Sequence, residues 1–225
     1  METRVDSIDQ LTAEIVACRA CPRLVAWREQ VAREKRASFR DWDYWGKPVP
    51  GWGDPAARVV IVGLAPAAHG GNRTGRVFTG DNSGDWLYGA LHRAGFANQA
   101  SATHVDDGLR LTGAYILATV RCAPPENKPT IEERDRCEPF FAREISLLTE
   151  ARVLVALGKY GWDAVSRLFD VRPRPVFGHE REAALPGGQV LLGSYHPSQH
   201  NTFTGRLTVP MFDSVFARAR ALANA

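Results

Sequence analysis

Four short runs of nearly continuous apolar residues punctuate the chain: RVVIVG at 58–63, AYILATV at 114–120, RVLVAL at 152–157 and QVLLGSY at 189–195. Runs of this length, rich in β-branched and aliphatic residues and without strict alternation, predict strands covered on both faces. Between them apolar positions recur at helical spacing. That spacing predicts helices from Ser83 to about Arg93, from a Thr130-x-x-Glu133 capping box toward Leu148, from Tyr160 to about Phe169, and from about Pro210 to Leu222. Near the start, Ile8, Leu11 and Ile15 share one helical face behind a cap at Asp6 or Ser7. The segment FRDWDYWGKPVPGWGDP, residues 39–55, is broken by Pro and Gly and reads as a loop packed by its own rings. Strand and helix in alternation predict a three-layer α/β/α sandwich around a central, mainly parallel four-stranded sheet with right-handed crossovers. No repeat, low-complexity tract or composition break marks a second domain, so residues 1–225 are expected to form one unit.

This topology directs attention to particular loops, because open parallel sheets bind ligands beyond the carboxyl ends of their strands. The segments that follow the four runs are GLAPAAHGGNRTGRVFTGDNSG, RCAPPENKP, GKYGW and HPSQHNTFTGR. Three of them are rich in Gly, Pro, Asn and His, residues that suit close backbone approach and hydrogen bonding better than packing.

Composition narrows the class. The 225 residues are 44% hydrophobic and 24% charged, enough to build an apolar core without a staple, which excludes a fibre, a disulfide mini-protein and a disordered tail. No stretch approaches the roughly 20 apolar residues that span a bilayer, so no membrane partner is expected. The N-terminal METRVDSIDQLTAEI mixes both charge signs with apolar residues and lacks a signal-peptide core, which leads to the expectation of a cytoplasmic protein with reduced thiols. The net charge of +3 is small, but its distribution is uneven. Arg19, Arg23, Arg28, Arg33, Lys35, Arg36 and Arg40 face only Glu29 and Glu34 between positions 19 and 40. That local excess fits either a phosphate-facing surface or a solvated helix face.

There are four cysteines, a Cys18-x2-Cys21 pair and the more distant Cys122 and Cys137. One complete ligand set from three segments fits a single iron–sulfur cluster better than zinc, whose ribbons and knuckles usually supply two close pairs. Four unconnected buried cysteines is the remaining reading.

Taken together, the motifs GLAPAAHGGNRTGR-x-FTGD and HPSQ-x-NTFTGRLT and the four cysteines resemble the uracil-DNA glycosylase superfamily, specifically the family 5 enzymes of bacteria and archaea. The resemblance spans essentially the whole chain. It implies an α/β/α sandwich, a [4Fe–4S] cluster on Cys18, Cys21, Cys122 and Cys137, and N-glycosidic removal of uracil and other deaminated or damaged bases from DNA. On that basis Phe78 matches the stacking ring, Asp81 the carboxylate that positions water, and His196 the donor to the leaving base. Gly63, Leu64 and Ala65 fall in the first motif. Sister families place an acidic or amide residue at Leu64 or Ala65 and a base-reading Asn at Ala118. The chain therefore lacks that reader, and a broadened substrate range that includes hypoxanthine is expected. Ser198, Gln199, Asn201 and Arg206 would supply the loop that contacts DNA. Two competing readings are a nucleoside or nucleotide hydrolase and a non-catalytic iron–sulfur or zinc module that binds nucleic acid. A monomer in the nucleoid-bearing cytoplasm is expected, and Asp81 could alternatively serve only to cap the helix near Ser83.

Overall fold

A computed structural model of the chain describes residues 6–225; the first five residues of the N-terminal segment, on which the expectation of no export signal partly rests, lie outside it. The four apolar runs are strands: β2 (Val59–Gly63), β3 (Ala114–Ala118), β4 (Val153–Leu157) and β6 (Val190–Ser194), all mutually parallel where they pair. The sheet nevertheless has six strands, in the order β1-β3-β2-β4-β6-β5, which corrects the expected four. The added edges, β1 (Trp52–Gly53) and β5 (Glu182–Ala184), are two and three residues long and pair antiparallel. Neither carries an apolar run, because an edge strand faces solvent and so leaves little hydrophobic signature.

Strand residues divide by parity between two cores, as the period of two requires. Val59, Ile61, Ile116 and Val155 face a layer that contains Leu87 and Leu91 of α4 (Asn82–Arg93) and Phe212, Val215 and Phe216 of α8 (Val209–Ala223). Val60, Val62, Tyr115 and Leu154 face Phe141 of α5 (Ile131–Leu147) and Trp162 and Val165 of α6 (Lys159–Leu168). The apolar face of α1 (Ile8–Ala17) is buried through Leu11 and Ile15, with Ser7 as its cap.

Helix α4, which follows β2, and helix α6, which follows β4, thus lie on opposite faces of the sheet. Adjacent strands whose helices diverge in this way open a crevice at their carboxyl ends. The capping box at Thr130 forms as expected. The Thr130 hydroxyl accepts from the Glu133 N–H at 3.2 Å and the Glu133 carboxylate accepts from the Thr130 N–H at 2.8 Å. The same carboxylate also accepts from Arg23 at 2.6 Å, which ties α5 to α2 (Pro22–Glu34), a helix the apolar spacing did not reveal.

Candidate active site

The crevice is a cavity of about 610 Å³ walled by the segments that follow β2, β4 and β6. Leu64, Ala65, Phe78, Asp81, His196, Ser198 and Gln199 line it, so residues from both long motifs converge as the resemblance implied. The rings of Phe78 and His196 lie 6.0 Å apart at 35°. Phe78 has φ = 53°, a left-handed conformation that is costly for an aromatic residue by about 1–3 kcal/mol and persists only where surroundings over-determine it. Gly63 makes room for the ring, since a Cβ there would lie 2.9 Å from the ring edge.

Asp81 caps α4, accepting the Gly84 N–H at 3.0 Å through Oδ1, and it also lines the cavity. The two readings of this residue are therefore not alternatives; one oxygen caps while the carboxylate borders the pocket. The helix begins at Asn82, one residue before the expected Ser83. The other carboxylate oxygen lies against Gly70, where any Cβ would stand 2.0 Å from Oδ2. Burial pushes the Asp81 carboxyl above its ordinary range, and the Ser83 and Gly84 N–H groups oppose the shift.

His196 follows β6. Burial lowers its pKa to about 4, which keeps the imidazole neutral at physiological pH and leaves a ring N–H to donate. The Asn201 side-chain amide donates to the His196 carbonyl at 2.9 Å, so Asn201 fixes the backbone that carries the imidazole rather than standing free for DNA. The Arg206 guanidinium stacks over Tyr195 at 4.7 Å and is exposed. His179 accepts the Tyr195 N–H at 3.1 Å.

Two expected positions do not line the cavity. Ala118 is buried in the α4/α8 core, and Gly63 lies behind Phe78. No amide stands at Leu64 or Ala65, while Asn82, Asn127 and Gln199 border the cavity elsewhere. Asn127 was missed because it belongs to the polar turn after β3, where backbone conformation decides direction; its φ is 57°. Its one visible signal was membership of a segment that follows a strand. Lys159 and Tyr160, at the start of α6, also border the cavity. Phe203, at the end of α7 (Gln199–Phe203), whose start lines the cavity, is 76% exposed.

The cysteines converge too. Cys18, Cys21, Cys122 and Cys137 line one recess, together with Leu24 and Val120, and all four are free thiols. Among the described residues no three thiol, imidazole or carboxylate groups stand close enough to hold a single metal ion. Buried Arg28 donates to the Cys122 sulfur at 2.8 Å, and its Nε has no partner among the described residues. Burial raises the Cys122 thiol to about 12 against the pull of Arg28. Arg28 is thus not surface charge. Arg19 pairs with Glu29 and Arg23 with Glu133 at the surface, so three of the seven basic residues between 19 and 40 are engaged by groups of the chain itself, Arg28 alone of them in the interior.

A sequence signature of the uracil DNA glycosylase superfamily matches residues 50–220. The chain is 54% identical over 221 residues to a type-5 uracil-DNA glycosylase of Mycobacterium bovis, a match that covers 97% of this chain and 82% of that one. It is 53% identical over 211 residues to a type-5 uracil-DNA glycosylase of Thermus thermophilus, covering 93% and 95% of the two chains. It is 44% identical over 213 residues to one of Pyrobaculum aerophilum, covering 95% and 92%.

Proposed function

The chain belongs to the uracil DNA glycosylase superfamily, and from that premise we propose that it hydrolyses the N-glycosidic bond of uracil, and of other deaminated bases such as hypoxanthine, in DNA. The observation that carries this reading is the meeting of Phe78, Asp81 and His196, far apart in sequence, in one cavity. A base inside a duplex is out of reach, so the nucleotide must be everted into that cavity, at a cost of a few kcal/mol. Stacking on Phe78 returns about 1–3 kcal/mol of it. Exposed Phe203 and the loop from Ser198 to Arg206 face the duplex and fill the vacated stack, while Gln199 and Arg206 contact the backbone.

As the bond between the base nitrogen and sugar C1′ breaks, the electron pair leaves with the base and C1′ becomes cationic. His196, neutral, donates to the anionic base oxygen. Asp81, as carboxylate, offsets the cation, orients water toward C1′ and takes its proton as the new C–O bond forms. The products are free base and an abasic site. The wall at Leu64 and Ala65 offers no side-chain donor or acceptor to the base, and the cavity has room for a purine, which together support the broader range.

The experiment is incubation with duplexes bearing uracil, hypoxanthine or normal bases, followed by alkaline scission at abasic sites. Fastest cleavage at uracil and slower, measurable cleavage at hypoxanthine are expected. Strict uracil specificity overturns the broader range; no scission at all overturns the glycosylase reading in favour of a binding module. Inhibition should steepen with salt, because duplex binding releases counterions, whereas a nucleoside hydrolase would show little salt dependence.

The four thiols and the cation beside them suit a [4Fe–4S] cluster, a soft-donor body of net negative charge that Arg28 would partly neutralise. Held by Cys18, Cys21, Cys122 and Cys137, the cluster would supply a covalent tie between the N-terminal helices and the 122–137 connection. Protein purified without oxygen should absorb at roughly 400 nm, and Cys122→Ala should abolish the band. A colourless protein with stoichiometric zinc would replace the assignment.

A further inference from the structure

We propose that Arg73, clasped between Phe39 and Trp42, is a positioning residue that sets the placement and charge of Asp81; this rests on the reading of Asp81 as the carboxylate that activates water. The aromatic segment that opens the loop at residue 39 has no part in the cavity. Its rings instead hold Arg73, whose guanidinium carbon lies 3.8 Å from the Phe39 ring centre and 4.1 Å from that of Trp42. The two rings meet edge to face at 76°, so the guanidinium sits in the corner they form, and contact with both π-systems compensates the loss of water from a side chain only 3% exposed.

The clasped guanidinium reaches the loop that carries the acid. Arg73 Nη2 donates to the carbonyl of Gly80, the residue before Asp81, at 2.9 Å, and Nε donates to the His69 carbonyl at 2.7 Å. Gly80 has φ = 74°, and a Cβ there would lie 2.2 Å from Arg73 Nη2, so backbone and guanidinium are packed with no intervening atom. Gly70, which precedes Arg73 by three residues, leaves the space for the Asp81 carboxylate. One short segment thus frames the acid from two sides.

The same cation acts through space. The charges that act on Asp81 are Asp85 on α4 and Arg73 in the helical turn Gly71–Thr74, alongside the Ser83 and Gly84 N–H groups; Tyr88 lies on α4, and His196, His200, Tyr160 and Lys159 share the cavity. Of the two charges Arg73 is the cation. It pulls the carboxyl down while burial and Asp85 push it up. Removing it must therefore raise the Asp81 pKa further and shift the acid limb of activity to higher pH.

Single-turnover uracil release and duplex binding should be measured across pH for Arg73→Gln, Arg73→Lys and Trp42→Ala, beside Asp81→Asn. Arg73→Gln should lower the release rate by up to about 100-fold, the scale of a misplacement near 1 Å, with duplex Kd little changed and the acid limb moved to higher pH. Arg73→Lys should keep the limb near its original position and recover part of the rate. Trp42→Ala should give a smaller loss that is non-additive with Arg73→Gln. A lowered melting temperature with rate and limb unchanged in Arg73→Gln makes the residue structural only and overturns the proposal. Should Arg73→Gln fail to fold, Trp42→Ala and Arg73→Lys decide, and wild-type rates in both overturn it. An active Asp81→Asn instead overturns the reading on which the proposal rests, whatever the Arg73 variants do.

Discussion

Asp81→Asn lowers the single-turnover rate of uracil release by about 10²- to 10⁴-fold, the range over which a positioned acid–base group contributes. The substitution isolates charge from architecture. Asp81 caps α4 through Oδ1, and an Asn side chain caps a helix as well as Asp does, so the melting temperature should stay close to wild type. Asp81→Ala would mix the two effects, adding a capping loss of about 1 kcal/mol. The cavity tolerates the amide because Gly70 leaves the same space for it. The wild-type pH profile should carry the signature of this group. Burial raises its pKa, the active form is the carboxylate, and activity therefore falls as pH drops through a value above the ordinary carboxylate range. In Asp81→Asn that limb should vanish. A variant that keeps the wild-type rate would remove Asp81 from the chemistry and leave it a helix cap.

His196→Ala should cost about 10²- to 10³-fold in the same assay, the measured scale for loss of one aligned donor at a developing oxyanion. Duplex affinity should change little, since the donor matters most once the base carries negative charge. His196→Gln, whose amide can still donate, should recover part of the rate. Because burial lowers the imidazole pKa to about 4, the rate should be insensitive to His196 ionisation near neutrality. A loss confined to binding, with chemistry intact, would show the imidazole to be a wall of the pocket rather than a donor.

Much of the fold was legible in advance, and the reasons are specific. The four central strands are buried on both faces, so each declares itself as an unbroken apolar run. The Thr130 and Glu133 capping box is local chemistry over four residues and formed as read. The edge strands β1 and β5 escaped because their residues are partly or wholly exposed and their pairing comes from neighbours remote in the chain. Helix α2 was hidden by its many arginines, whose value is tertiary: Arg28 is buried against Cys122, and Arg23 closes on Glu133.

The site divides the same way. Phe78, Asp81 and His196 sit in motifs whose residue types already indicate a ring, an acid and a donor beyond strand ends. Ala118 was placed at the pocket by resemblance, but its side chain belongs to the α4/α8 core, because alternate residues of a strand face opposite ways. Asn127 showed only as part of the segment after β3, its direction set by its turn, and Arg73 only as part of the first motif, since its clasp joins segments some 30 residues apart.

The amino-acid order by itself determined the layered α/β class, the strand ends as the place for chemistry, and the types of group available there, because burial pattern and local capping are properties of neighbouring residues. The tertiary structure alone decided which of those groups face one another: that Asp81 both caps and borders the cavity, that Asn201 serves His196, and that Arg28 and Arg73 are interior cations. The shared cavity and the two interior cations turn on contacts between segments distant in the chain, which the pattern of neighbouring residues does not encode.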